Sequence, residues 1–161
     1  MAGAANRTIE AAWLPGPIAP REVAIEVVGS SLAGFDILRA ESYEEGYRFL
    51  EAFTFGRNNG IVLAACLAGA LMGIGGLADA VLPDDQQRLW GLYVRPALRR
   101  RGVGRALVAA LLDRGEHGGR AVKASAGTTA ASSFWQALGF TPEPRYGHTH
   151  VLYPSAQGVR Q

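Results

Sequence analysis

The sequence predicts an α/β domain, and three stretches carry that expectation. Leu89 to Leu112 reads as strand, basic loop and helix. Ile61 to Leu77 reads as two buried strands joined at Ala68-Gly69. From Arg120 to Tyr153 a strand, a short helix and further strands follow one another. Strands and helices that alternate at these lengths fit a sheet with helices packed on it.

Taken in order, residues 1–33 are expected to be an N-terminal extension, partly disordered or adding an edge strand. Residues 34–155 would form the domain and 156–161 a tail. Met1 to Pro20 is rich in Ala, Gly and Pro and holds no apolar run long enough for a signal peptide. Val23-Ala24-Ile25-x-Val27-Val28 suits a strand at a sheet edge. Phe35 to Ala40 alternates as a strand does. Ser42-x-x-Glu45 then has the form of a capping box, in which each side chain takes a backbone N–H at a helix start. Tyr43, Tyr47, Phe49, Leu50 and Phe53 follow at helical spacing, Gly56 would end that helix, and Asn58-Asn59-Gly60 reads as a turn.

Ile61 to Leu77 carries no charge over seventeen residues and contains Gly69-x-x-x-Gly73. A membrane span needs about twenty mostly apolar residues. This run is shorter, holds four glycines and breaks naturally at Ala68-Gly69. Strands covered on both faces also read as continuous apolar runs, so a buried hairpin, Ile61–Leu67 and Ala70–Leu77, is the expectation. Asp79 to Arg88 leads as a loop into the central strand.

Leu89 to Val94 is rich in aromatic and branched residues, and Pro96 and Arg99-Arg100-Arg101 end it. Apolar residues at 103, 107, 108, 111 and 112 then trace a helix closed by Gly115. A helix N-terminus offers free N–H groups and a positive dipole end, and Gly102 and Gly104 let backbone approach a ligand. With the arginines, the stretch reads as a seat for a phosphate-bearing ligand. No Gly-x-x-x-x-Gly-Lys-Ser/Thr occurs, and Leu107 stands where a dinucleotide fingerprint needs Gly or Ala. Further on, Arg120 to Ala126 is a strand, Gly127 to Thr129 a turn and Ala130 to Leu138 a helix ended by Gly139. Phe140-Thr141 begins a strand, Pro142 to Gly147 is a loop, and His148 to Tyr153 alternates as a last strand.

Charge and composition narrow the partners. The chain has 161 residues, enough for one domain with a real core, and a net charge of only +2. That sets up no strong field toward nucleic acid or membrane, although a basic nucleic-acid contact over Arg95 to Arg105 is the competing reading of the arginines. Cys66 is the single cysteine, so no disulfide forms within the chain, and a cytoplasmic setting is expected. No metal-ligand spacing appears, so no metal is expected.

Arg99-x-x-Gly102-x-Gly104, preceded by Leu92-x-Val94-x-Pro96, resembles the acetyl-CoA loop of the GNAT superfamily of N-acetyltransferases. Ala131-x-x-Phe134-Trp135-x-x-Leu138-Gly139-Phe140 resembles that superfamily's second signature. The resemblance covers about Phe35 to Tyr153 loosely and Leu92 to Gly104 closely. It implies a mixed, twisted sheet flanked by helices and splayed beside Val94, with acetyl-CoA as cosubstrate in the split. Backbone groups of Leu92 and Val94 would pair with the pantetheine arm, with Tyr93 between them. Amides of Arg100, Arg101, Gly102, Val103 and Gly104 would seat the pyrophosphate, and Arg99 and Arg105 would pair its charge. The implied reaction is direct acetyl transfer to an amine, its oxyanion held by the Val94 N–H. Thr128 stands where many members have an Asn on the pantetheine arm. Trp135 stands where many have the Tyr thought to protonate the thiolate, and an indole is not a practical acid. His148 and His150 are candidates for relaying the amine proton, as are Asp84 and Asp85. A CoA-binding module that has lost catalysis is the alternative. The expected partners are acetyl-CoA and an amine acceptor, with no nucleic acid or membrane, and a homodimer is left open.

Overall fold

A computed structural model describes residues 22–29, 31–48, 50, 53, 60–80, 86–114, 119–145 and 147–154. In chain order its elements are β1 (Val23–Val27), α1 (Phe35–Glu44), β2 (Ile61–Leu67), β3 (Ala70–Asp79) and β4 (Gln87–Val94). A 3-10 turn (Pro96–Leu98), α2 (Val103–Arg114), β5 (Val122–Ala124), α3 (Thr129–Ala137), β6 (Thr141–Arg145) and β7 (His148–Leu152) follow. The strands form one sheet in the order β1-β2-β3-β4-β5-β7-β6. The β4–β5 pair is parallel and its neighbours are antiparallel, so the fold is mixed α/β.

The apolar run at 61–77 is a hairpin. Ala68 and Gly69 take φ of +51° and +80°, the two left-handed residues of a tight hairpin turn. Among the described residues no helix is long and apolar enough to cross a membrane. The run lacks polar residues because both faces of these strands are covered. Leu63, Met72, Leu77, Leu89, Leu107, Leu111, Trp135 and Phe140 join one buried cluster with α2 and α3. Leu38, Leu50, Val62, Ile74 and Tyr93 form a second cluster on the α1 side. Two glycines of β3 make the first face flat. A Cβ at Gly73 would lie 3.1 Å from Leu107 Cδ1, and one at Gly75 would lie 3.2 Å from Leu111 Cδ1. Thus α2 rests directly on the β3 backbone.

Two expectations need correction. Phe35 to Ala40 is not a strand but the start of α1, and Ser42-Glu45 does not open a helix but lies at the end of one. The left-handed Gly34 (φ +86°) precedes the helix with no side-chain cap, and Gly46 (φ +90°) follows its end. Ser42 is wholly buried on the inner face with Leu38, because its hydroxyl donates back to Arg39 O at 2.9 Å. A buried polar residue satisfied in this way hides the helical stripe. Tyr47, Leu50 and Phe53 serve the second cluster from non-helical chain, while Phe49, Gly56, Asn58 and Asn59 lie outside the described residues. The second correction is Pro142 to Arg145, which is strand β6 rather than loop. Among the described residues it pairs on one side only, and an edge is where a strand tolerates prolines. β7, by contrast, is an interior strand between β5 and β6, so its histidines are not edge residues.

Candidate functional site

The sheet parts at its centre. β4 and β5 pair only at Gln87–Val122 and Arg88–Lys123, and β4 then continues to Val94 paired with β3 alone. Along β3 the register shifts so that Gly91 and Leu92 together oppose Gly75, a bulge that Gly91 allows by taking φ +62°. Past the bulge, Arg95 N–H donates to Met72 O at 2.9 Å. Antiparallel strands alternate bonded and non-bonded pairs, so the N–H and C=O of Val94 turn away from β3, into the gap. The same alternation puts the main chain of Leu92 on that side.

At the open end of β4 the chain tightens through the 3-10 turn, with Leu98 fully buried beneath it. Arg100 (φ +60°) and Gly102 (φ +95°) then reverse the backbone, and Ala106 N–H bonds Gly102 O at 3.0 Å as α2 begins. A left-handed conformation costs a non-glycine residue roughly 1–2 kcal/mol, strain of the kind that gathers at functional loops. The first turn of α2 holds no acidic residue, so its free amides and positive dipole end are not answered by a carboxylate of their own helix.

The far side of this loop is clamped to α1. Glu41 holds Arg95 at 2.7 to 3.1 Å. Glu45 takes both terminal nitrogens of Arg99 at 2.7 Å, and Arg99 Nε donates to Val94 O at 2.9 Å. Tyr93, only 3% exposed, donates its hydroxyl to Glu45 at 2.6 Å, and the Arg99 guanidinium lies 5.2 Å from its ring centre. The hydrogen bonds from Arg99 hold the Glu45 carboxyl below the usual carboxylate range. Burial, then the Glu45 carboxylate, pushes the Tyr93 phenol well up, so it stays a donor at neutral pH.

The opposite wall is the end of β5. Trp135, 4% exposed and packed against Phe134 and Phe140, donates its indole N–H to Ser125 O at 3.3 Å. Ala126 N–H donates to Thr149 Oγ1 at 2.8 Å, and Ser125 Oγ donates to Gly147 O at 3.3 Å. Both ring nitrogens of His150 are engaged, Nδ1 with Thr149 Oγ1 at 2.6 Å and Nε2 with Ser132 Oγ at 3.0 Å. His148 is also buried, and its Nδ1 has no partner among the described residues. Burial, then the charges of Lys123 and Arg88, hold its imidazole below the ordinary histidine value, hence neutral at pH 7.

A model of the acetyltransferase (GNAT) family matches residues 32–140. The chain belongs to the GNAT acetyltransferase family. The fold agrees. A protein from Exiguobacterium sp. 255-15 assigned as an acetyltransferase superposes with a TM-score of 0.76 at 22% identity, covering 86% of this chain and 97% of that one. An acetyltransferase of the GNAT family from Staphylococcus aureus Mu50 gives 0.63 at 15%, covering 82% and 100%. PaiA N-acetyltransferase from Thermoplasma acidophilum, in complex with coenzyme A, gives 0.57 at 15%, covering 80% and 96%. No curated protein sequence matches.

GNAT acetyltransferases take acetyl-CoA, and the residues at the split fit such a cosubstrate: a gap-facing main chain at Val94, a twice-reversed loop, and an acid-free helix N-terminus. The structure brings together Leu92, Val94 and Arg99 to Arg105 at one end of the gap, with Trp135 on the other wall. Several expected contributors are committed elsewhere. Arg99 is paired with Glu45, and the Tyr93 side chain faces α1. Gly104 faces Phe134, whose ring would lie 3.3 Å from a Cβ there, so packing already favours glycine at that position. Thr128 caps α3 by accepting from Ala131 N–H at 3.1 Å. Asp84 and Asp85 lie outside the described residues. Sequence reasoning missed the partners Glu41, Glu45, Ser125 and Thr149. The one available hint was that Tyr93 alternates with Leu92 and Val94 and so needs a polar partner on the opposite face.

Proposed function

We propose that this GNAT protein is an acetyl-CoA-dependent N-acetyltransferase that moves the acetyl group to a primary amine, of a small molecule or a protein, by direct attack on the thioester. The observation that supports this best is the one-sided course of β4 beyond Arg88, which leaves main-chain groups facing a gap that leads straight to the α2 N-terminus. Acetyl-CoA is the substrate that supplies the activated acyl group. The amides of Arg100, Arg101, Gly102, Val103 and Gly104 would bear its pyrophosphate, with Arg105 exposed beside them. Arg99 acts at one remove, fixing the Val94 carbonyl and so the aim of the Val94 N–H, the candidate oxyanion donor. Of the two histidines, His150 has both nitrogens occupied, which leaves His148, neutral and unpartnered at Nδ1 among the described residues, as the proton acceptor to test. Calorimetry with acetyl-CoA, followed by thiol release across a panel of amines, tests the whole. Affinity with turnover supports it, and no affinity for acetyl-CoA overturns it.

A second reading, a CoA-binding module that has lost catalysis, is favoured by one observation. The N–H of Trp135 and both nitrogens of His150 are already bonded within the protein. Tight binding without turnover on any amine would select it. A nucleic-acid contact over Arg95 to Arg105 is weakened by the pairing of Arg95 and Arg99 with glutamates. A cytoplasmic setting is part of this reading, supported by the single cysteine, Cys66, whose thiol burial pushes up.

A further inference from the structure

The hydrogen-bond ladder between β4 and β5 stops after one turn of its pattern, and the way it stops is specific. Gln87 N–H donates to Ala121 O at 2.9 Å. In a parallel pair, alternate residues face the same neighbour, so the main chains of Ala121, Lys123 and Ser125 all face β4. Ser125 O is therefore the next acceptor that β5 presents to β4. It accepts instead from the Trp135 indole at 3.3 Å. On the β4 side, the donor in line for it is Gly91 N–H, and Gly91 is the left-handed residue of the bulge. Both partners of the missing rung are thus turned aside, one by a bulge and the other by an indole. Beyond it, Ala126 N–H is drawn the other way, to Thr149 on β7.

We infer that Trp135 is a positioning residue whose indole N–H occupies the ladder acceptor of Ser125 and so holds the β4–β5 split open for the pantetheine arm. This rests on the reading that the split takes acetyl-CoA. The indole then needs no acid role, because its proton is committed to a main-chain carbonyl. A departing thiolate, with a conjugate acid near the thiol value of about 8.5, leaves without one. The acyl transfer itself is unchanged: the amine nitrogen bonds the acetyl carbon, the carbon–sulfur bond breaks, and the amine proton goes to solvent or to a separate base.

Two variants separate the hydrogen bond from the packing. Trp135→Phe keeps a ring, and benzothienylalanine placed at position 135 keeps the bicyclic shape without the N–H. Both should raise Kd and KM for acetyl-CoA by about three- to tenfold, the range of one lost neutral hydrogen bond, while kcat at saturation changes by less than about tenfold. Amide exchange over residues 124–126 should quicken in both. Unchanged Kd and unchanged exchange in the benzothienyl variant would overturn the proposal. So would a hundredfold loss of kcat with Kd intact, which would put the indole at the reacting atoms. If the wild type binds no acetyl-CoA, the functional reading falls on its own, and exchange at 124–126 still decides whether the indole holds the end of β5.

Discussion

The two faces of the sheet hold the end of β4 by different forces. On the α2 face the contact is volume: Leu107 and Leu111 lie over Gly73 and Gly75, where β3 has no side chain of its own. On the α1 face the apolar cluster is smaller, and Ile37 and Tyr43 point outward, each about half exposed. There α1 is tied to the loop after β4 by Glu41–Arg95 and Glu45–Arg99. Packing of the first kind is indifferent to salt and nearly so to pH, while partly exposed ion pairs respond to both. The loop after β4 therefore sits between a fixed wall and one that solution conditions can loosen.

The sharpest way to break that contrast is Leu107→Ala. A fully buried leucine on a glycine seat should cost about 2–5 kcal/mol in denaturant unfolding. A cost below about 1 kcal/mol would mean that the α2 face is not held by packing. Next comes Arg105→Glu, on the exposed first turn of α2. An acid there favours the helix dipole but repels phosphate, so the melting temperature should hold while acetyl-CoA binding weakens at least about tenfold. Gly102→Glu would also repel phosphate, yet φ +95° favours glycine, so stability and binding would fall together. Binding unchanged in Arg105→Glu would remove that residue from the phosphate site.

The smallest effect is expected at Glu45→Gln, about 0.5–1 kcal/mol at neutral pH because both side chains are partly wet. The folded carboxyl titrates below its ordinary value. Its stabilisation is therefore complete above the ordinary carboxylate pKa and is lost as pH falls through the lower, folded one. The variant should show a shallower loss of stability than wild type below about pH 4.5, and the gap between the two proteins should narrow in high salt. Parallel acid-unfolding curves would show that the pair contributes nothing. Leu107, packed on the sheet, thus answers to shape, and Glu45 on the α1 side answers to charge.

How far the chain could be read from its residues follows the same division. The hairpin, the β4–loop–α2 unit and β7 were legible because each is local: alternation or helical spacing, ended by a glycine or a proline. α1 was not, since its cap is a bare glycine and its inner face carries Ser42 rather than a leucine. The clamp was invisible for a different reason. Glu41 and Arg95 are far apart in sequence, and nothing local marks a surface glutamate as the partner of a distant arginine. The pairing of Arg99 with Glu45 is the costliest of these omissions, because the spacing Arg99-x-x-Gly102-x-Gly104 invites a phosphate assignment for a side chain that is also held by a carboxylate. The gap itself was expected through family resemblance, whereas the indole that holds β5 aside depends on a backbone carbonyl that no side-chain pattern encodes.

The prolines of β6 reach beyond the site. A sheet that ends in an unpaired strand invites a stranger's strand to dock, the first step of ordered aggregation. At β6, Pro142 and Pro144 carry no main-chain N–H, and Glu143 and Arg145 add charge. β1, the other outermost strand among those described, has no proline within Val23–Val27 and carries a single charge, Glu26. The molecule is thus protected against stacking at one rim and not by the same means at the other. Under mild destabilisation, intermolecular cross-linking should map first to β1.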